Sequence, residues 1–206
     1  MQISNKRALT IVAGVSGSGK STFALRYLLN AKLDARFVFD LGGEYASRLR
    51  MQAAKEPYDL AIALARGWVL FDPEVLFPGQ IENGFAFFAE WAFTVSQTFP
   101  GRKLFIVDEA YRYQTTNGLP AELACCVFDG RKRGLDVMFN IQAPNKLNNT
   151  ILNECTEFVS FRLQSGRATE IAGERGFNPE ELTRLPDLHF ISRSSSGGEL
   201  RGRIKV

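Results

Sequence analysis

Eight consecutive residues, Gly14-Val15-Ser16-Gly17-Ser18-Gly19-Lys20-Ser21, constrain this chain more than any other feature in it. They match the Gly-x-x-x-x-Gly-Lys-Ser/Thr pattern and stand between an apolar run, Leu9 to Ala13, and a stretch with helical spacing that begins at Lys20. In such a loop the glycines let backbone N–H groups converge on phosphate oxygens without Cβ clashes, and the helix N-terminus adds partial positive charge. A plain glycine-rich turn before a helix is the bland alternative. It requires Gly, Gly, Lys and Ser to fall in register by chance at a strand-to-helix junction. The segment Gly14 to Thr22 is therefore expected to hold ATP, with Lys20 on the β- and γ-phosphates and Ser21 supplying a hydroxyl ligand to Mg²⁺.

Further apolar runs bounded by Gly, Pro or Asp occur at Arg36 to Phe39, Trp68 to Phe71, Leu104 to Val107, Val137 to Ile141 and Phe158 to Leu163. Each reads as a buried strand. Helical spacing fills Lys20 to Asn30, Pro57 to Arg66, Gly84 to Thr98 and Pro120 to Asp129, with shorter pieces near Asn149 and Pro179. Alternation of this kind predicts an α/β fold with a doubly wound, mostly parallel sheet. At the end, Ser194 to Gly198 reads as the turn of a C-terminal hairpin. Arg201, Arg203 and Lys205 alternate along its second strand and predict one basic face. With 206 residues, no repeat and no compositional break, residues 1–206 read as a single domain.

The run Lys103 to Val107 ends in Asp108-Glu109, the pair of carboxylates that a Walker B strand carries when it neighbours the phosphate loop. Asp108 would hold the Mg²⁺ water shell. Glu109, one residue past the strand, would polarise the attacking water, against the plainer reading of a solvated turn acid. Gln142 ends the strand Leu135 to Ile141, at the edge of an open α/β sheet where ligands bind, and is placed either to sense the γ-phosphate or merely to end a strand. Before that strand lie Arg131, Lys132 and Arg133. Arg131 or Arg133 would reach a neighbouring subunit's ATP as an arginine finger, or else the triplet contacts DNA phosphate or solvent; Arg162 is a weaker candidate for the same work.

Composition closes several doors. There are 25 Lys and Arg against 22 Asp and Glu, so any nucleic-acid contact is local rather than driven by overall charge. Cys125, Cys126 and Cys155 show no metal or disulfide spacing, and His189 is the only histidine; the thiols read as reduced, buried and intracellular. Met1 to Arg7 leads into too short an apolar stretch for a signal peptide. Phe85 to Phe99, the most apolar later stretch, is too short and too polar to cross a bilayer, so no integral membrane segment is expected. Its Phe85, Phe88, Trp91 and Phe99 read as core or subunit interface rather than a platform for stacked bases, and His189 reads as structural.

Asp40-Leu-Gly-Gly43-Glu44-Tyr45 resembles the Asp-x-x-Gly-Glu-Tyr of HerA-type ATPases. Phe105 to Gln164 is similar to the FtsK/HerA superfamily in its Asp-Glu pair, an Arg three residues before a Gly, a strand ending in Gln, and Phe-Arg-Leu. More weakly, the resemblance extends through Phe177 to Pro186. It implies a RecA-like, ASCE-type P-loop NTPase fold and favours Arg131 over Arg133 as the finger. Within that superfamily a bare motor domain of this size resembles the genome-packaging ATPases of internal-membrane, tectivirus-like viruses. The resemblance implies ATP-driven translocation of dsDNA into a capsid and a homo-oligomeric ring, with a hexamer favoured. It further implies docking on capsid vertex proteins and residence in the host cytoplasm and the virion. DNA contact would fall to pore loops such as Tyr111 to Gly118 with Arg112. Three other readings stay open: a filamentous-phage assembly ATPase of the zonula occludens toxin type, a nucleotide-gated vertex scaffold, and a small-molecule kinase, the last disfavoured by Asp108-Glu109 followed by a strand-ending Gln.

Overall fold

The computed structural model describes residues 9–113 and 118–205. The expected alternation of β and α elements is present, and the strands form an eight-stranded sheet ordered β3-β2-β4-β5-β1-β6-β7-β8. Its strands are β1 (Leu9–Ala13), β2 (Ala35–Phe39), β3 (Trp68–Phe71), β4 (Lys103–Asp108), β5 (Leu135–Ile141), β6 (Glu157–Ser160), β7 (His189–Ser194) and β8 (Glu199–Arg203). The helices are α1 (Lys20–Asn30), α2 (Glu44–Leu49), α3 (Pro57–Ala65), α4 (Ile81–Thr98), α5 (Ala121–Phe128), α6 (Asn149–Glu154), α7 (Arg167–Gly173) and α8 (Pro179–Arg184). Every residue of β1 and β5 is buried, which is why both read as near-continuous apolar runs. The fold is α/β and mostly parallel, as expected, and the chain divides into two compact units.

One unit comprises residues 30–107 and 112–137 among the described ones. Here β2 pairs in parallel with β3, Arg36 opposite Trp68, and with β4, Ala35 opposite Lys103. Aromatic rings fill its core. Phe85 stacks on Tyr113 with centroids 4.2 Å apart, and Phe88 stacks on Phe71 at 5.1 Å and on Trp91 at 5.9 Å. Phe85, Phe88 and Trp91 are thus packing residues, their rings committed to one another. α3 begins with a reciprocal capping box between Glu56 and Asp59 and with Pro57 in its first turn. α2 was not legible in the sequence. It starts where the buried Asp40 carboxylate accepts the N–H groups of Tyr45 at 2.9 Å and Ala46 at 2.7 Å. Burial pushes the Asp40 pKa up, against the pull of those two amides.

The other unit comprises residues 9–29, 108–111 and 138–205 among the described ones. β1 pairs in parallel with β6, Thr10 opposite Glu157 and Ala13 opposite Ser160. β6 continues antiparallel to β7, and β7 to β8, which gives the C-terminal hairpin. Its turn is closed by the Ser194 N–H donating to the Gly198 carbonyl at 2.9 Å. The basic face expected on β8 is partly neutralised: Arg201 is held by Glu181 of α8 and Glu199 of its own strand. β6 stops at Ser160, because the Phe161 and Arg162 backbone turns to meet the loop after β1 instead of extending the strand. α7 also went unread in the sequence; its polar residues hide the helical spacing until Ile171 and Ala172 are seen buried.

Of the thiols, Cys126 and Cys155 are buried as expected but Cys125 is exposed, since α5 turns it away from the side that buries Leu123 and Cys126. No helix among the described residues is long and apolar enough to cross a membrane. The start, Met1 to Arg7, lies outside the described residues, as do residues 114–117 of the proposed pore loop.

Candidate active site

The site is built on the C-terminal ends of β1, β4 and β5, and the last residues of β5 organise it. On one side the Asn140 carbonyl accepts the Glu109 N–H at 2.7 Å; on the other the Ile141 carbonyl accepts the Gly14 N–H at 3.2 Å. Consecutive residues of one strand therefore fix the start of the phosphate loop and the end of the Walker B strand, and Gln142 follows them, exposed. The Asp108–Tyr111 segment, Gln142 and the loop all belong to one compact unit.

The loop is locked from its far side. The Val15 N–H donates to the Arg162 carbonyl at 2.8 Å, and the Ser18 carbonyl accepts the Leu188 N–H at 3.0 Å. Gly14 must be glycine: a Cβ there would stand 2.6 Å from the Phe161 Cβ and 2.7 Å from the Ser18 Oγ. Gly19, with φ +114, must be glycine for its backbone, and a Cβ would also press on Leu188 at 3.0 Å. The helical ladder of α1 opens with Phe23 N–H donating to the Gly19 carbonyl, and its first turn carries no acid. The positive end of the helix is thus left for an anion.

Lys20 is buried, and its ammonium donates to the carbonyls of Gly14 at 2.8 Å and Val15 at 3.0 Å. Those carbonyls are partners that the ammonium can exchange for phosphate oxygens. Ser18 turns its hydroxyl back on the Val15 carbonyl at 2.8 Å, which stiffens the loop without using its backbone amides. Ser16 and Gly17 form the exposed crest, and Ser21 and Thr22 are half-buried at the start of α1.

Glu109 is the most telling residue. It adopts φ +49, a left-handed conformation that costs a non-glycine residue roughly 1–2 kcal/mol, and its Oε2 is buried with no hydrogen-bond partner. A buried carboxylate oxygen without a donor fits a water molecule or substrate group that it would bind. The donor set also fits Mg²⁺. Among the described residues no cluster of three or more His, Cys, Asp or Glu side chains forms a metal cage. One hydroxyl, Ser21, and one carboxylate, Asp108, are what a magnesium ion that takes its other ligands from phosphate and water requires.

The arginines separate. Arg162 pairs with Asp187 at 2.8 Å, both partly exposed. Arg131 lies in the 3₁₀ turn Gly130–Arg133, before β5, whereas Gln142 follows β5 in the chain. Arg133 stacks its guanidinium over Phe93 at 5.1 Å, and Lys132 pairs with Asp129 at 3.0 Å. Arg133 is therefore occupied with packing. His189 stands at the start of β7 with its Nδ1 3.1 Å from the Asp187 carbonyl. Asn140, Phe161, Asp187 and Leu188 were missed by sequence reasoning. Asn140 and Leu188 contribute backbone contacts and Phe161 shape, for which residue type gives no signal, and Asp187 contributes an ion pair to a residue 25 positions away.

No known protein-family model matches this chain, and no curated protein sequence does. Solved structures do. The genome packaging NTPase B204 of Sulfolobus turreted icosahedral virus 2, in complex with AMP, superposes with a TM-score of 0.77 at 15% identity, covering 98% of this chain and 100% of that one. B204, the DNA-packaging ATPase of Sulfolobus turreted icosahedral virus, gives a TM-score of 0.69 at 16% identity, covering 98% and 100%. The bacterial conjugative coupling protein TrwB gives 0.70 at 11% identity, covering 99% of this chain and 89% of that one. At these identities the likeness is one of fold: this chain has the P-loop NTPase fold that B204 and TrwB share.

Proposed function

We propose that this chain is an ATPase that couples hydrolysis to the movement of double-stranded DNA, and that it packages a viral genome into a preformed capsid. The observation that carries the ATPase reading is the end of β5, where Asn140 and Ile141 tie Glu109 and the phosphate loop to adjacent carbonyls. B204, a packaging enzyme that matches over nearly its whole length, supports the choice of DNA as the cargo.

Gly14 to Thr22 hold the triphosphate of ATP through backbone amides, and Lys20 leaves the Gly14 and Val15 carbonyls for the β- and γ-phosphate oxygens. Ser21 and, through water, Asp108 would hold Mg²⁺, which would supply positive charge against the phosphates. Glu109 orients the attacking water with its buried Oε2 and takes up its proton. Gln142, which directly follows Ile141 at the end of β5, reads the presence of the γ-phosphate. Arg131 serves a neighbouring copy's ATP in a ring, a hexamer by the family resemblance, which docks on capsid vertex proteins.

The test is steady-state ATP hydrolysis with and without dsDNA across a salt series, with the oligomeric state recorded in the same samples. Strong stimulation that fades with salt supports a DNA motor. Turnover indifferent to DNA would favour an assembly ATPase or a vertex scaffold, and no turnover at all would end the enzymatic reading.

A further inference from the structure

Two short turns leave the active site from its two reactive residues. Tyr111 follows Glu109 by two positions, after the fully buried Ala110. The 3₁₀ turn Pro144–Lys146 starts two positions after Gln142, and its Lys146 N–H donates to the Ala143 carbonyl at 3.0 Å. Buried Pro144 and Leu147 pin that turn at both ends, so Asn145 and Lys146 are the residues it presents to solvent.

The two turns meet. The Lys146 ammonium stands over the Tyr111 ring, 4.7 Å from its centroid. No described carboxylate pairs with Lys146, whereas the exposed Lys132 and Arg167 have acid partners. From Gln142 to Asn153 the chain contains no Asp or Glu. Lys146 is its only charge, surrounded by Asn145, Asn148, Asn149 and Thr150, which can all donate hydrogen bonds. An exposed ammonium on a neutral ring is weakly held, and a phosphodiester competes with the ring for it.

We infer that Lys146 is a contact for the phosphate backbone of DNA and that Tyr111 is its resting partner. DNA drawing Lys146 off Tyr111 uncouples the two turns and alters the placement of Glu109, two residues before Tyr111, and of Gln142, four residues before Lys146. The contact therefore carries DNA occupancy to the hydrolytic residues. This rests on the reading of the chain as a DNA-dependent ATPase.

The experiment compares the full-length wild type with Lys146→Ala, Lys146→Arg and Tyr111→Leu. It reads ATP turnover against the concentration of random-sequence dsDNA at several salt concentrations, with oligomeric state measured alongside. Lys146→Ala should keep its DNA-free turnover and its assembly state. It should lose most of the stimulation, with the slope of log affinity on log salt falling by about one per engaged subunit. Lys146→Arg should restore both. Tyr111→Leu should bind DNA but respond to it less. If the wild type is stimulated and Lys146→Ala behaves like it, the inference fails while the DNA-motor reading stands. A change of assembly state in Lys146→Ala would likewise overturn it, making Lys146 a subunit contact. A wild type that DNA does not stimulate overturns both.

Discussion

Arg162 and Asp187 form an ion pair 2.8 Å long whose two segments are each fastened by backbone to the phosphate loop. The Arg162 carbonyl accepts from Val15, and Leu188, next to Asp187, donates to Ser18. The side chains of the pair are 39% and 62% exposed, so the charges themselves contribute only about 0–1 kcal/mol. The support lies in the backbone bonds. Asp187→Asn should therefore lower unfolding stability by no more than about 1 kcal/mol in urea titrations. Leu188→Pro removes the N–H and cannot adopt the observed φ of +66, so it should cost about 3 kcal/mol or more and weaken ATP binding. Equal stabilities for the two variants would show that the Leu188 bond does not hold the loop.

Glu109→Gln should bind ATP as tightly as the wild type and turn it over about 10² to 10⁴ times more slowly, because the amide keeps the shape of the carboxylate but cannot take the proton of the water. Equilibrium binding and single-turnover hydrolysis on the same preparation separate the two effects. An active Glu109→Gln enzyme removes Glu109 from catalysis.

Gly14→Ala should destabilise the fold by about 1–3 kcal/mol and abolish tight ATP binding. The contact is with the Phe161 Cβ, so trimming Phe161 to alanine leaves the clash in place and should not rescue binding. Recovery of affinity in the double variant would refute this account of the loop.

Arg131→Ala should be inactive alone, since a trans-acting arginine is worth about 10³ to 10⁵ in rate. Mixed with Glu109→Gln subunits it should regain activity, because a boundary formed by one of each supplies both groups. Mixing over a range of ratios and assaying hydrolysis gives the answer; no recovery at any ratio takes Arg131 out of that role.

Burial pushes the thiol of Cys126 up to about 12 and that of Cys155 up to about 11, whereas Cys125 is exposed. The thiolate is the reactive form, so near neutral pH a maleimide should label the folded protein rapidly at Cys125 alone. In denaturant all three should react. Peptide mapping after short labelling reads the site, and fast modification of Cys126 would contradict its burial.

Much of the candidate nucleotide site was legible in the chain because its chemistry is local. β1, β3 and α1 match the expected strands and helix, since buried parallel strands write themselves as unbroken apolar runs and the loop's glycines stand in a fixed pattern. Asp108-Glu109 was legible as the polar end of such a run. α2 was not, because what starts it is the buried Asp40 carboxylate reaching Tyr45 and Ala46, a contact that spacing does not announce. Arg201, Arg203 and Lys205 of the last segment are all exposed, as a basic face requires, but the pairing of Arg201 was not legible: Glu181 lies 20 residues from it in sequence and meets it only in the folded unit.

The sequence by itself determined which residues are candidates to cradle a phosphate, bind a magnesium ion and activate water, because those powers belong to side-chain types and to spacings of a few residues. The tertiary structure decided what surrounds them: that Asn140 and Ile141 hold the two halves of the site on one strand end, that Phe161 makes Gly14 obligatory, that Glu109 sits in a left-handed conformation with a buried oxygen, and that Lys146 rests on Tyr111. These depend on hydrogen bonds and steric contacts between segments distant in the chain. Close packing fixes such contacts only once the sheet has formed.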